Sequence, residues 1–324
     1  YRSADGVEWQ STRTLNDVVW DGTQFVGVGY SGFAGVSPDG ISWTRVPTET
    51  TNTLNRIVSS DTGLYAVGDR GTALRSSDAT AWIPIELGTT QKLVDLAWLG
   101  DQFAALDSGG TIIYSDTDFG QPEGMWVDAI WSDGTTTIAV GRFGRIAELV
   151  NGSWIEKDSG TDNSLLAIGE TAQGVRAGGS GGTILDRSPD GVWEVVASWD
   201  DHPSIKQDFA PFEIATGGDG GLLAFTENGV IARSEEGRIW RRSGKLGNLE
   251  LNGFAESSDA QFVVGEGGTI ARISGDLASI QRSPVFSDLN AVAYGDGRLV
   301  AVGDDGVILL SKSGSDITGG FYRW

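Results

Sequence analysis

A block of about 39 residues recurs from one end of this 324-residue chain to the other. A chain made of such units buries the faces of each unit against its neighbours. The block reads Leu-x-x-Val, a turn, an apolar run ending in Val-Gly, a glycine two or three residues on, another run, then Ser-x-Asp-Gly and Trp. Its first copy is Leu15, Val18, Trp20, Asp21-Gly22, Phe25 to Gly29, Gly32, Ser37-Pro38-Asp39-Gly40 and Trp43. The second is Leu54, Ile57, Leu64 to Gly68, Gly71, Ser76-Ser77-Asp78 and Trp82, 39 residues further on. Later copies begin near Leu93, Trp126, Leu165, Phe212, Leu251 and Leu289.

Within each block the apolar residues alternate over short windows, and Asp21-Gly22, Asp133-Gly134 and Asp296-Gly297 are hairpin signals. Each block holds four short strands and their turns, the unit of a propeller blade. The reading is an all-β chain, 1–324, forming one closed β-propeller domain of about eight four-stranded blades, with seven as the alternative. Residues Tyr1 to Trp9 match the second half of a block, and Leu289 to Ser311 match the first half. The N-terminal strand is therefore expected to close the last blade, with Phe321 to Trp324 as its rival.

The chain carries 23 Lys and Arg against 44 Asp and Glu, a formal net charge of −21. Such a surface repels phosphate backbones, which argues against nucleic-acid binding. No apolar run approaches the roughly 20 residues of a membrane span, so direct membrane insertion is not expected. There is no cysteine, hence no disulfide and no thiolate chemistry, and the one histidine excludes a multi-histidine zinc site within the chain.

The Ser-x-Asp-Gly-x-x-Trp segments at Ser3–Trp9 and Ser37–Trp43 resemble the Asp-box of bacterial neuraminidase-type (BNR) repeats, with a looser copy at Ser76–Trp82. Ala66-Val67-Gly68-Asp69-Arg70-Gly71-Thr72 and Ala301-Val302-Gly303-Asp304-Asp305-Gly306 resemble the repeat of photosystem II assembly and stability factor-like bacterial propellers. The resemblance implies structural roles for Ser3, Asp5, Trp9, Ser37, Asp39, Trp43, Ser76, Asp78 and Trp82: Ser and Asp tie a turn, and Trp packs between blades. It also implies a secreted, periplasmic or cell-surface module. Sialidases of the same repeat carry an Arg-Ile-Pro signature, and none of Arg56-Ile57, Arg145-Ile146 and Arg272-Ile273 is followed by Pro, so sialidase activity is not expected.

Function is sought where the repeat is broken. From Leu165 to Phe212 the spacing stretches to 47, and the extra residues contain Trp199, Asp200, Asp201, His202, Lys206 and Asp208. An aromatic ring, carboxylates, an imidazole and an ammonium within ten residues are the materials of a binding or acid–base site. A second set lies in the loops between strands two and three: Asp69, Arg70, Asp107, Arg142, Glu227, Glu266, Asp304 and Asp305. Charge of this density suits a cation or a hydroxyl-rich ligand. Asp116-Thr117-Asp118-Phe119-Gly120 matches the start of a calcium loop but lacks its downstream bidentate glutamate, and no cofactor is expected.

The regular repeat and the scarcity of catalysts favour a non-enzymatic binding or assembly scaffold with a protein or glycan ligand. The alternative is a polysaccharide hydrolase or lyase with its site on the same face.

Overall fold

The computed structural model describes residues 15–171, 174–197, 211–216, 222–226, 230–234, 241–245, 250–257, 260–274, 277–281, 283, 285–311 and 322–323. Among them run eight antiparallel sheets in chain order, at 15–46, 54–84, 93–114, 127–157, 165–197, 211–245, 251–281 and 289–323. Seven have four strands in simple up-and-down order, and the third has three. Sheet 1, for example, pairs Leu15–Trp20, Phe25–Gly29, Phe33–Ser37 and Thr44–Val46 in succession.

The four-strand expectation fails at sheet 3, and two block starts shift by a residue. Leu15 opposes Gly29 in sheet 1; the same register opposes Val127 to Gly141 and Pro211 to Thr226, so those sheets start at Val127 and Pro211, not at Trp126 and Phe212. The outer strand of sheet 8 is Tyr322–Arg323, paired to Val307–Leu310. This corrects the expectation that the N-terminal strand takes that place. Either terminus fits the repeat, and the hairpin from Leu310 closes a far shorter loop than a return from residue 1. Ser3, Asp5 and Trp9 lie outside the described residues.

The chain divides into two compact units. The first is Tyr1–Val94, Leu251–Ser274 and Ser279–Trp324, and holds sheets 7, 8, 1 and 2. Its sheets face one another through buried apolar side chains. Leu15, Phe25 and Trp43 of sheet 1 pack with Val300, Val302 and Leu310 of sheet 8, and Val26, Val28 and Ala34 pack with Leu54, Ile57 and Leu74 of sheet 2. Alternate residues of each central strand thus serve alternate neighbours, as a strand buried on both faces requires. The second unit, Asp95–Glu250 and Gly275–Ala278, repeats the scheme: Ile138, Val140 and Ile146 of sheet 4 meet Leu165, Ala177 and Trp193 of sheet 5.

The first unit adds a polar tie. The second residue of the inner strand is Asn in each of its sheets, and its amide donates to the first carbonyl of the next inner strand. Asn16 reaches Leu54 O (2.9 Å), Asn55 reaches Leu93 O (2.9 Å), Asn252 reaches Leu289 O (3.1 Å) and Asn290 reaches Leu15 O (3.4 Å). The last of these joins the final sheet to the first.

Candidate functional site

At one end of every sheet but the sixth, whose connection lies outside the described residues, the second and third strands are joined by a tight turn. In six sheets it is a single 3-10 turn: Tyr30–Gly32, Asp69–Gly71, Arg142–Gly144, Ser180–Gly182, Glu266–Gly268 and Asp304–Gly306. The middle residue is left-handed, with φ between 53° and 65°. The third must be Gly because the segment leading to the next sheet crosses directly above it. A Cβ on Gly32, Gly71 or Gly144 would overlap the carbonyl oxygen of Thr50, Thr89 or Thr161. The turn apex, by contrast, displays whatever side chain stands there: Ser31, Arg70, Phe143, Gly181, Gly267 or Asp305.

An L-residue at such an apex costs on the order of 1–2 kcal/mol relative to an ordinary conformation, and glycine avoids that cost. Phe143 bears it at φ 59° while leaving its ring 76% exposed, so the ring gains little from burial. Beside it Arg142 lies 4.0 Å above the centre of the Trp126 ring, a cation–π stack. The ring is seated on the turn of sheet 3, where a Cβ on Gly110 would touch it. Asp128 Oδ1 is 4.0 Å from Arg142 Nε, beyond hydrogen-bonding reach, and the Arg142 side chain is half exposed. The guanidinium is therefore held in orientation by the indole, with Asp128 as a long ion-pair partner and no side-chain hydrogen bond from its N–H fork among the described residues.

Asp128 takes the place that Asn fills in the first unit. A carboxylate has no proton for the next carbonyl, and its Oδ2 is buried without a partner among the described residues. Burial pushes its pKa up, against the opposing pull of Arg142 and of the Trp126 indole.

The first unit offers a groove of about 340 Å³ beside the apex of sheet 2, with Arg70, Glu49 and Glu86 at its rim and Leu74, Pro84 and Ile85 among its walls. That volume is at the lower end of the range for ligand pockets.

The remaining turn carboxylates are largely engaged in the fold. Asp107 is buried and caps its own turn, accepting the Gly109 and Thr111 N–H groups at 2.8 and 2.9 Å. Asp69 and Asp304 accept from the Asn55 and Asn290 amides (3.1 and 3.0 Å), and Asp305 accepts from the Ser287 hydroxyl (2.8 Å). Glu266 stands at the first position of its turn. Trp199, Asp200, Asp201, His202, Lys206, Asp208 and Glu227 lie outside the described residues.

In the Ser37–Trp43 segment, Asp39 Oδ1 accepts the Ile41 and Ser42 N–H groups (both 2.8 Å) and the Ser37 hydroxyl (3.1 Å). The Ser42 bond leads the effects that hold its pKa below the ordinary value. Trp43 is buried and donates to Gly40 O. Asp78 likewise accepts from the Thr80 N–H and hydroxyl, and Ser76 and Trp82 are buried.

Trp126, Asp128 and Phe143 are not among the candidates that the repeat and its interruptions single out. The spacing of Trp126 marks it only as a block start. The available signal is the apex position itself, where a large apolar residue replaces the Ser, Arg, Gly or Asp of other copies.

No family model and no curated protein matches the chain. Solved structures do match. Saccharomyces cerevisiae Sqt1 superposes with a TM-score of 0.71 at 12% identity, covering 94% of this chain and 97% of that one. YCF48 bound to a D1 peptide gives 0.60 at 18% identity, over 83% of this chain and 95% of that one. The WD40 β-propeller domain of Doa1 gives 0.58 at 13% identity, over 94% and 95%. The chain accordingly has a β-propeller fold built from repeats.

Proposed function

We propose that the protein is a non-enzymatic scaffold that holds an extended segment of a partner protein against the turn ends of its sheets. The observation that carries this reading is Phe143, an exposed ring kept in a strained backbone conformation next to a guanidinium oriented by Trp126. Strain without a folding return is a mark of contact residues, and aromatic rings and Arg dominate the energetics of protein interfaces. The peptide carried by YCF48, a matching propeller, supports this choice of partner. We further read the eight sheets as the blades of one closed ring of BNR type. The Asn290 to Leu15 bond and the bonding of Asp39 support that reading.

The test is to pan a displayed peptide library on the whole protein and compare recovered binders on Phe143→Gly and Arg142→Ala. Binders that lose at least tenfold in affinity on both variants support the reading. Binders indifferent to both variants would overturn it.

A further inference from the structure

The third sheet lacks the outer strand that the other seven possess. Its strands are Leu93–Trp98, Phe103–Asp107 and Ile112–Tyr114. Leu93 and Val127 stand 34 residues apart, against 39 for Leu15 to Leu54 and for Leu54 to Leu93. The deficit of five equals the length of an outer strand such as Ser153–Lys157. Residues 115–126 are fully described and none is a strand.

One side chain stands in for the missing strand. Six residues after Ser37 and Ser76 come the buried Trp43 and Trp82; six after Ser115 comes Gln121. Its Nε2 donates to Ile112 O at 2.5 Å, and its Oε1 accepts the Ile112 N–H at 2.8 Å. A carboxamide here makes the paired bonds that a peptide unit of a fourth strand would make. Gln121 is itself exposed, so the cap on this edge is open to exchange from solvent.

We propose that the outer edge of Ile112–Tyr114 takes up an extended, positively charged strand of another protein, with the Gln121 carboxamide as the plug that the strand displaces. Addition of a strand to a free edge is a recurrent mode of peptide recognition, with affinity from main-chain bonds and specificity from side chains. The charge of the partner follows from the border of the edge: residues 115–125 carry Asp116, Asp118 and Glu123, all exposed, and no Lys or Arg, and Arg145 beside Gly124 faces Glu123, which leaves Asp116 and Asp118 to set the sign. Two copies of this chain meeting edge to edge would oppose these acidic segments, which disfavours self-pairing. The proposal stands on different residues from the turn-end reading and survives its failure.

The probe is a synthetic peptide with the sequence of Ser42–Thr48, which contains the outer strand of sheet 1 and carries Arg45; a second peptide has Glu in place of that Arg. Hydrogen exchange at the Ile112 amide is followed in the intact protein and in Gln121→Ala. Without peptide the substitution is expected to speed exchange there about tenfold, since the accepting oxygen is gone. The Arg peptide should restore protection and bind the variant at least fivefold more tightly than the intact protein, and the Glu peptide should do neither. Unchanged exchange at Ala104 to Leu106 shows that the sheet is folded; if it is disturbed, Gln121→Leu removes both the donor and the acceptor while keeping nearly the size, with the same expectations. Failure of the Arg peptide to protect Ile112 in any variant overturns the proposal, as does equal protection by both peptides. Concentration-dependent dimerisation of Gln121→Ala without peptide overturns the choice of partner in favour of a second copy.

Discussion

The two compact units use one repeat but hold adjacent sheets together differently. In the unit of sheets 7, 8, 1 and 2, an Asn at one fixed position of every inner strand ties it to the next. In the second unit, that position holds Asp128, Leu166 and Phe212 in sheets 4 to 6, and the tie is gone. Charge takes over part of the work further out. Glu148 of sheet 4, 4% exposed, accepts two bonds from Arg187 of sheet 5 (2.7 and 3.2 Å) and one from the Trp193 indole (3.2 Å), with Lys157 Nζ at 3.5 Å. A position relieved of tying sheets is available for other chemistry, and that is where Asp128, Arg142 and Trp126 gather.

The largest effect should come from the ionic joint. Glu148→Ala leaves Arg187 and the Trp193 N–H short of their acceptor and is expected to cost about 3 kcal/mol, as for breaking a buried ion pair. The shift of the urea midpoint measures it. Burial raises the Glu148 pKa, but Arg187, Lys157 and the Trp193 indole outweigh it, so the folded value lies below the ordinary one. The joint therefore stabilises fully above the carboxylate range and is lost as pH falls through the lowered folded value. Glu148→Ala should accordingly be less pH-sensitive than the parent on the acid side.

Next comes the amide tie. Asn55→Ala removes donors to Leu93 O and to Asp69, for an expected loss of about 1–2 kcal/mol, with the largest gain in hydrogen exchange in the flanking inner strands. Leu166→Ala, at the same position of the other unit, breaks no such bond, and the two variants together show whether the tie belongs to one unit alone.

How far the sequence discloses this difference depends on what a spacing records. Repeat length, glycine punctuation and, in every sheet but the third, strand count follow from periods in the chain, and the structure carries them. The Asn position is also periodic and was open to reading, whereas Glu148 and Arg187, 39 residues apart, look like ordinary surface charges until their sheets are packed. The Trp126 stack is harder still, because its ring rests on Gly110 of the preceding sheet and its partner arrives from the next turn. The repeat pattern favours residues 1–9 over Phe321 to Trp324 as the outer strand of sheet 8, whereas the structure pairs Tyr322–Arg323 there. The five-residue deficit after Leu93 was visible as a number, but its meaning needed the Gln121 carboxamide in place.

Asp128→Asn restores a donor at the tying position and should stabilise the second unit by about 1 kcal/mol if the amide reaches Leu165 O as its counterparts do. The sign with pH is testable. Burial raises the folded pKa of Asp128, so its favourable state is the protonated one, present below the unfolded value and lost as pH rises through the folded value. The advantage of the Asn variant should therefore widen from acid towards neutral pH. A constant difference across that range would show that the carboxylate titrates alike in folded and unfolded chains.

The smallest change in stability separates folding from function most cleanly. Phe143→Gly releases the left-handed apex from its strain, while the greater freedom of glycine in the unfolded chain takes back part of the gain. A net stabilisation of about 0.5 kcal/mol is expected, against the usual direction for removing a large apolar side chain. Gly181 and Gly267 already occupy the same apex in sheets 5 and 7, so the turn accepts the replacement. Binding of a turn-end ligand should fall at least tenfold in the same variant. A variant that folds better and binds worse places Phe143 in the contact surface; one that loses stability returns the ring to the fold, and with it the strongest reason for setting the second unit apart.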